Sequence, residues 1–285
     1  MAPVAHIFGS LVVVSLVFPS MTSRETNFGE GKMWNAVLEK LAILRGYDLR
    51  FSTFGADRHR YEFNPPVPPD KLKEIEGNLG VTFPPELRSL YLEVGNGWVG
   101  PDYGMYRIED LEGYRPEQPW MGVKYYDSLE EDYEETLTGL LVLMARFYAH
   151  ESCMVVTGKD VGQIIALDTG RFMFVEDDSL TGVYNTWLDK EIGRFERIRT
   201  MIASGAGIQE VAQRMYDDNQ AHPENTLVNV ASLLDYPFSY NPDALAARKM
   251  ETTADGETRI IITDDAQRVF DGKLKKYRNE ILGSS

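Results

Sequence analysis

PPVPPDKLKEIEGNLGVTFPPELRSLYLEVGNGWVGPDYGMY, residues 65–106, is the stretch from which the rest of the chain can be read. Its prolines and glycines cut it into two helices and a turn. Pro68 and Pro69 open the first helix, because proline is tolerated where a backbone N–H has no partner anyway. Leu72, Ile75 and Leu79 recur at helical spacing, and Gly80 supplies the stop. Pro84 and Pro85 open a second helix lined by Leu87, Leu90 and Leu92, which Gly95 ends. Both glycines are expected to take the left-handed conformation that closes a helix without a side-chain clash.

The six residues Gly95-Asn96-Gly97-Trp98-Val99-Gly100 match G-x-G-x-x-G. A dinucleotide fingerprint needs those glycines to lead from a strand into a helix whose N-terminus receives pyrophosphate. Here a helix precedes them, and Pro101, Asp102, Tyr103 and Gly104 follow, so the motif is rejected. The Gly-Lys-Ser/Thr ending of a phosphate loop and the H-R-D and D-F-G segments of a kinase are missing as well. The stretch reads instead as a helix end and a bend where Trp98 packs, launching a strand over 106–111.

Leu79, Gly80, Phe83, Pro84, Leu87, Leu90, Tyr91, Gly95, Asn96, Gly97, Gly100, Pro101, Tyr103 and Gly104 together resemble the N-terminal signature of the SUKH superfamily. That superfamily includes bacterial immunity proteins that neutralise toxins and fungal regulators of cell-wall synthesis. Gly139-Leu140-Leu141, Val155-Val156-Thr157-Gly158, Gly162 and Tyr184-Asn185-Thr186-Trp187-Leu188 resemble its later strands and closing helix. The likeness runs from about Met33 to Ile192, with Trp98 and Trp187 counted in its structural signature. It lapses at FYAHESC, 147–153, where the family often carries a glycine-rich turn.

Working outward, Trp34, Val37, Leu38, Leu41 and Leu44 make a helical stripe that Gly46 breaks. Residues 49–63 read as a polar, irregular loop with His59 solvated between arginines. After the central stretch, 112–120 reads as loop and 140–144 as an apolar run. Strands are expected at 154–157, 163–167 and 172–175, and their short spacings can join only antiparallel neighbours. A helix over 184–203, with Trp187, Leu188, Ile192, Phe195 and Ile198 facing inward, then closes an α+β fold with a mostly antiparallel sheet flanked by helices. Beyond it, helices are expected at 208–216 and 226–236, a β-rich segment at 258–263, and a last helix from Thr263 or Asp264 to Leu282. Its acidic start and basic end complement the helix dipole. The organisation is thus 1–32 as leader or linker, 33–192 as the SUKH-like domain, and 193–285 as a mainly helical extension packed on it.

Ile7–Phe18 is an apolar run of signal-peptide length, too short for a firm membrane span. No Lys or Arg precedes it and no small-residue cleavage site follows. It is either a weak signal or anchor, or sequence upstream of a start at Met21 or Met33; the second reading is favoured.

The chain has 285 residues and a formal charge of −15, with 44 acidic residues against 29 Lys and Arg. This balance argues against a nucleic-acid partner, whose phosphates demand clustered Lys and Arg, and suits a basic protein surface. A single cysteine, Cys153, rules out an internal disulfide and fits a cytoplasmic protein.

Catalytic and metal constellations are weak. His150 and Cys153, three apart, would touch on a helix, but Cys153 leads into a strand where cysteine is ordinarily core. Glu176, Asp177 and Asp178 offer oxygens without the spacing of a cation loop. No catalytic residue, metal or cofactor is expected. The candidate binding surface is the acidic block with its tyrosines: Tyr125, Tyr126, Glu130, Glu131, Asp132, Tyr133, Glu134 and Glu135. It is either a solvated helix face or a protein-recognition surface, since tyrosine supplies large amphipathic contacts at small entropic cost. The resemblance implies a non-enzymatic immunity protein that occludes a toxin domain having a basic surface. The alternative is a regulatory scaffold like the fungal relatives.

Overall fold

A computed structural model describes residues 33–123, 137–146, 150–168, 173–219, 223–234 and 248–280. Helix α1 (Asn35–Tyr47) is followed by the single turn α2 (Ala56–His59), α3 (Pro69–Leu79) and α4 (Pro85–Ser89). Strands β1 (Glu112–Tyr114), β2 (Leu140–Ala145), β3 (His150–Val155), β4 (Ile164–Asp168) and β5 (Met173–Asp177) form one sheet in the order β1-β2-β3-β4-β5. Every neighbouring pair is antiparallel, so the expected meander and α+β class hold. The long helix α5 (Leu180–Ala203) packs against α1. Then come α6 (Ile208–Asn219), α7 (Pro223–Leu233), a hairpin of β6 (Arg248–Thr252) with β7 (Thr258–Ile262), and α8 (Asp264–Glu280).

The sheet is covered on both faces, and the two-residue period of a strand assigns the side chains. Leu141, Leu143, Met154 and Ile164 join the large core with α1, α4 and α5. Leu140, Val142, Cys153, Val155, Ile165 and Leu167 pack on the other side with Trp120 and Leu137. On α5, Trp187, Leu188, Ile192, Phe195 and Ile198 are all buried, as their spacing requires. The same core continues into Val230 and Leu227 of α7, Ile260 of β7, and Phe270 and Leu274 of α8.

The central stretch ties this frame together. Pro69 stands in the first turn of α3, and Gly80 closes it in the left-handed region at φ 71°. In the next helix, Glu86 reaches across the chain to accept hydrogen bonds from the backbone N–H of Leu180 (2.9 Å) and Thr181 (2.7 Å). With Ser179 accepting from Gly182 N (3.0 Å), it satisfies the free amides that begin α5. A residue of the central stretch therefore caps the closing helix.

Several expectations are corrected. α1 runs through Gly46 to Tyr47, and Leu38 is 41% exposed, because the buried stripe is Trp34, Val37, Leu41 and Leu44. The second helix widens into a π-turn over Leu90–Val94, and Gly95 lies extended at φ 169° rather than left-handed. Glycine is needed there for room: a Cβ would sit 2.4 Å from the Asn64 carbonyl oxygen. The strand expected at 106–111 is a bridge at Met105 and a 3-10 turn over Ile108–Asp110, while β1 falls in the expected loop. Strand β3 starts four residues early, at His150.

Candidate recognition surface

Two loops meet at one corner of the sheet, residues 48–64 and 95–106. The contact between them is backbone against backbone. A Cβ on Gly55 would lie 1.5 Å from the Asp102 carbonyl oxygen, and within the second loop one on Gly104 would lie 1.9 Å from that of Trp98. Glycine at these positions is a condition of the approach. Asn96 pins the turn from within, its Oδ1 accepting from Ile108 N (2.8 Å) and its Nδ2 donating to Glu109 (3.0 Å). Behind it Tyr184 donates to the Val99 carbonyl (2.6 Å), and Trp98 N donates to the Met105 carbonyl (2.7 Å).

The glycine stretch thus bends so tightly that Trp98 is thrown outward. It is 41% exposed, at φ 89°, with its indole N–H on the Arg58 carbonyl at 3.2 Å. The expectation that it packs is wrong, because the left-handed backbone turns its side chain away from the core. Phe54 (46% exposed) and Tyr103 (36% exposed) stand beside it, their rings edge-on at 5.2 Å. His59 reverses the other expectation. It is buried, edge-on to Trp187 at 6.1 Å, and its Nδ1 accepts from Tyr61 N. Burial lowers its pKa to about 4, so it is neutral at physiological pH.

A cleft of about 630 Å³ adjoins the corner, lined by Asp102, Arg146, Glu176, Trp187, Glu191 and Arg194 among others. Arg146 bridges two carboxylates, Asp102 and Glu176, at 2.6 Å each, and Ser152 donates to Glu176 at 2.6 Å. Glu191 pairs with Arg194 at the cleft floor. Burial raises its pKa, which Arg194 only partly offsets.

The loop 48–64 is held from below by the C-terminal extension. Asp48, fully buried, accepts from Ser52 N and Oγ, Thr53 N, Tyr61 OH and, from α7, Ser232 Oγ at 2.6 Å. Burial works to raise its pKa, but these hydrogen bonds prevail and hold it below the usual carboxylate value.

The catalytic and cation candidates resolve on geometry. His150 and Cys153 share a strand three residues apart, so they point to opposite faces. The Cys153 thiol is buried and its pKa raised by that burial, the reverse of an activated nucleophile. Glu176, Asp177 and Asp178 are engaged separately, by Arg146, by Ser179 N (3.1 Å) and by Gln163 (3.1 Å). No metal-ligating cluster is found among the described residues. The acidic block containing Tyr125, Tyr126, Glu130, Glu131, Asp132, Tyr133, Glu134 and Glu135 lies outside the described residues, as does Ile7–Phe18. No described helix is long and apolar enough to cross a membrane.

Phe54, Arg58 and Asp48 were not singled out in the sequence. The positive φ values at Phe51, Arg60 and Tyr61 belong to residue types that carry no turn signal, so nothing in that stretch marked it as a built loop.

An antiparallel meander backed by one long helix, with a glycine-locked turn at its corner, defines an α+β domain that presents a rigid surface. Residues 66–191 match the SMI1 / KNR4 family (SUKH-1), which supports the SUKH likeness over that segment. No curated protein and no solved structure matches the chain.

Proposed function

We propose that this protein is a non-catalytic, cytoplasmic binding protein of the immunity type, which neutralises a toxin domain by covering it. The observation that carries the reading is the corner itself: exposed aromatic side chains held on backbone that close glycine contacts make rigid. Such a surface loses little freedom on binding, and exposed aromatic residues are the side chains from which binding hot spots are built. With a charge of −15, the chain favours a partner domain with a basic surface over nucleic acid. In this reading the acidic tyrosine block steers the partner, and 193–285 serves as a buttress for the 33–192 domain. Needing no cofactor, neutralisation would rest on contact alone.

The test starts from the neighbouring genes: a toxin reading frame immediately upstream supports the reading, and it is then checked by rescue of cells expressing that toxin, together with binding kinetics at two salt concentrations. Reversing Glu131 and Asp132 to Lys is expected to slow association and flatten its salt dependence, while Tyr133→Ala speeds dissociation. If none of these changes affects rescue or either rate, the block plays no part. If the wild type itself fails to rescue, the alternative gains: a regulatory scaffold of the fungal cell-wall-regulator kind.

A further inference from the structure

At the corner, five exposed side chains form a continuous ladder. Phe54 meets Tyr103 at 5.2 Å, and the Arg58 guanidinium lies 4.6 Å from the Tyr103 ring centre. The Arg58 carbonyl holds the Trp98 indole, and the Arg107 guanidinium lies 5.6 Å from the Trp98 ring centre. Two features of this ladder are unexplained by folding. Trp98 keeps a left-handed backbone, a costly conformation for a bulky residue, and gains little burial from it. Arg58 and Arg107 form no ion pair with a described carboxylate, in a chain where acids outnumber Lys and Arg 44 to 29. Glu109 is hydrogen-bonded by Asn96, the main cause of its lowered pKa, to which the charges of Lys71 and Arg107 add from beyond ion-pair distance.

A guanidinium stacked on a ring keeps its in-plane N–H donors, and stacking fixes the direction in which they point. Those donors fit a carboxylate as a fork, in a charge-assisted pair. We propose that this ladder is a docking strip for an acidic segment of a protein partner, an extended peptide placing carboxylates on either side of an apolar side chain. The apolar side chain would lie on Trp98 and Tyr103, and the carboxylates would meet Arg58 and Arg107. The strip is opposite in sign to the net charge of the chain, so it adds a contact that the acidic-block reading does not provide. A nucleic acid also combines stacking with anions. It carries a charge at every nucleotide, however, and the net −15 of the protein repels such a polyanion far more than two spaced carboxylates.

Tryptophan fluorescence reads the strip directly, because Trp34, Trp120 and Trp187 are buried and Trp98 is exposed. Iodide is expected to quench the full chain more strongly than caesium, and Trp98→Phe to remove the difference. Equal quenching by the two ions would overturn the proposal. A fluorescein-labelled peptide with two Glu flanking a Leu should then bind in low salt, and its Gln counterpart should not. The Arg58→Gln/Arg107→Gln double variant, whose altered side chains are exposed, should keep its melting temperature and lose about tenfold or more in affinity. No binding of the acidic peptide, binding indifferent to the double variant, or tighter binding of a single-stranded oligonucleotide would each sink the idea.

Discussion

Replacing Gly97 by alanine probes how firmly the turn is locked. The new methyl would stand 2.1 Å from the Tyr106 carbonyl oxygen and 2.9 Å from that of Met105. Carbon and oxygen do not ordinarily approach closer than about 3.3 Å, so the backbone must give way by roughly 1 Å. The segment that would move carries three hydrogen bonds: Trp98 N to Met105 O (2.7 Å), Tyr106 N to Leu143 O (2.9 Å), and Tyr91 OH to Tyr106 O (3.0 Å). At about 1 kcal/mol each, weakening two or three of them costs about 2–3 kcal/mol. Gly97 also has φ 62°, where alanine pays about 1–2 kcal/mol that glycine does not. The expected loss is therefore about 3–5 kcal/mol. Gly162 supplies the control, since it has φ 100° and nothing within 4 Å of a Cβ. Gly162→Ala should lose only the conformational part, about 1–2 kcal/mol. Urea unfolding of both variants, compared at equal m-value, isolates the steric difference. Losses agreeing to within about 0.5 kcal/mol would refute the claim that backbone contact locks the turn.

Ser232→Ala should destabilise by about 1–3 kcal/mol in the same assay, because it removes a donor from Asp48 and leaves the Arg50 N–H without its 2.9 Å acceptor. The Asp48 pKa is lowered on folding, so its contribution is complete above the unfolded value and is lost as pH falls through the folded one; Ser232→Ala should move acid unfolding to higher pH. His59 has a pKa depressed to about 4, so the unfolded chain binds a proton that the native one refuses between about 6.5 and 4. Stability should fall as pH drops through that window, and His59→Phe should flatten the slope while costing stability at pH 7, measured by urea unfolding at several pH values.

Much of this architecture is written locally. The proline pairs open α3 and α4, Gly80 ends α3, and the short spacings between apolar runs impose an antiparallel meander, all from backbone restrictions that act within a few residues. The stripe of α5 is equally local, since one helical period sorts its buried residues. His59 lay beyond reach of such reasoning. Flanked by arginines it reads as solvated, and only the packing of Trp187 and Tyr61, 128 and 2 residues away, buries it. Trp98 failed in the opposite sense: a large apolar residue is expected inside, but the sign of one φ angle turned it out. The candidate surface was legible only as glycines, asparagine and aromatic residues in a turn; its partner loop, from Asp48 to Tyr61, carried no pattern. From the sequence alone came the class of the fold, the starts of α3 and α4, the antiparallel meander of the sheet's last three strands and the family likeness, because each depends on local spacing. Which side chains face solvent at the corner, and which carboxylate fastens it to α7, was decided by the tertiary structure, because close approach between segments distant in the chain is a property of neither segment alone.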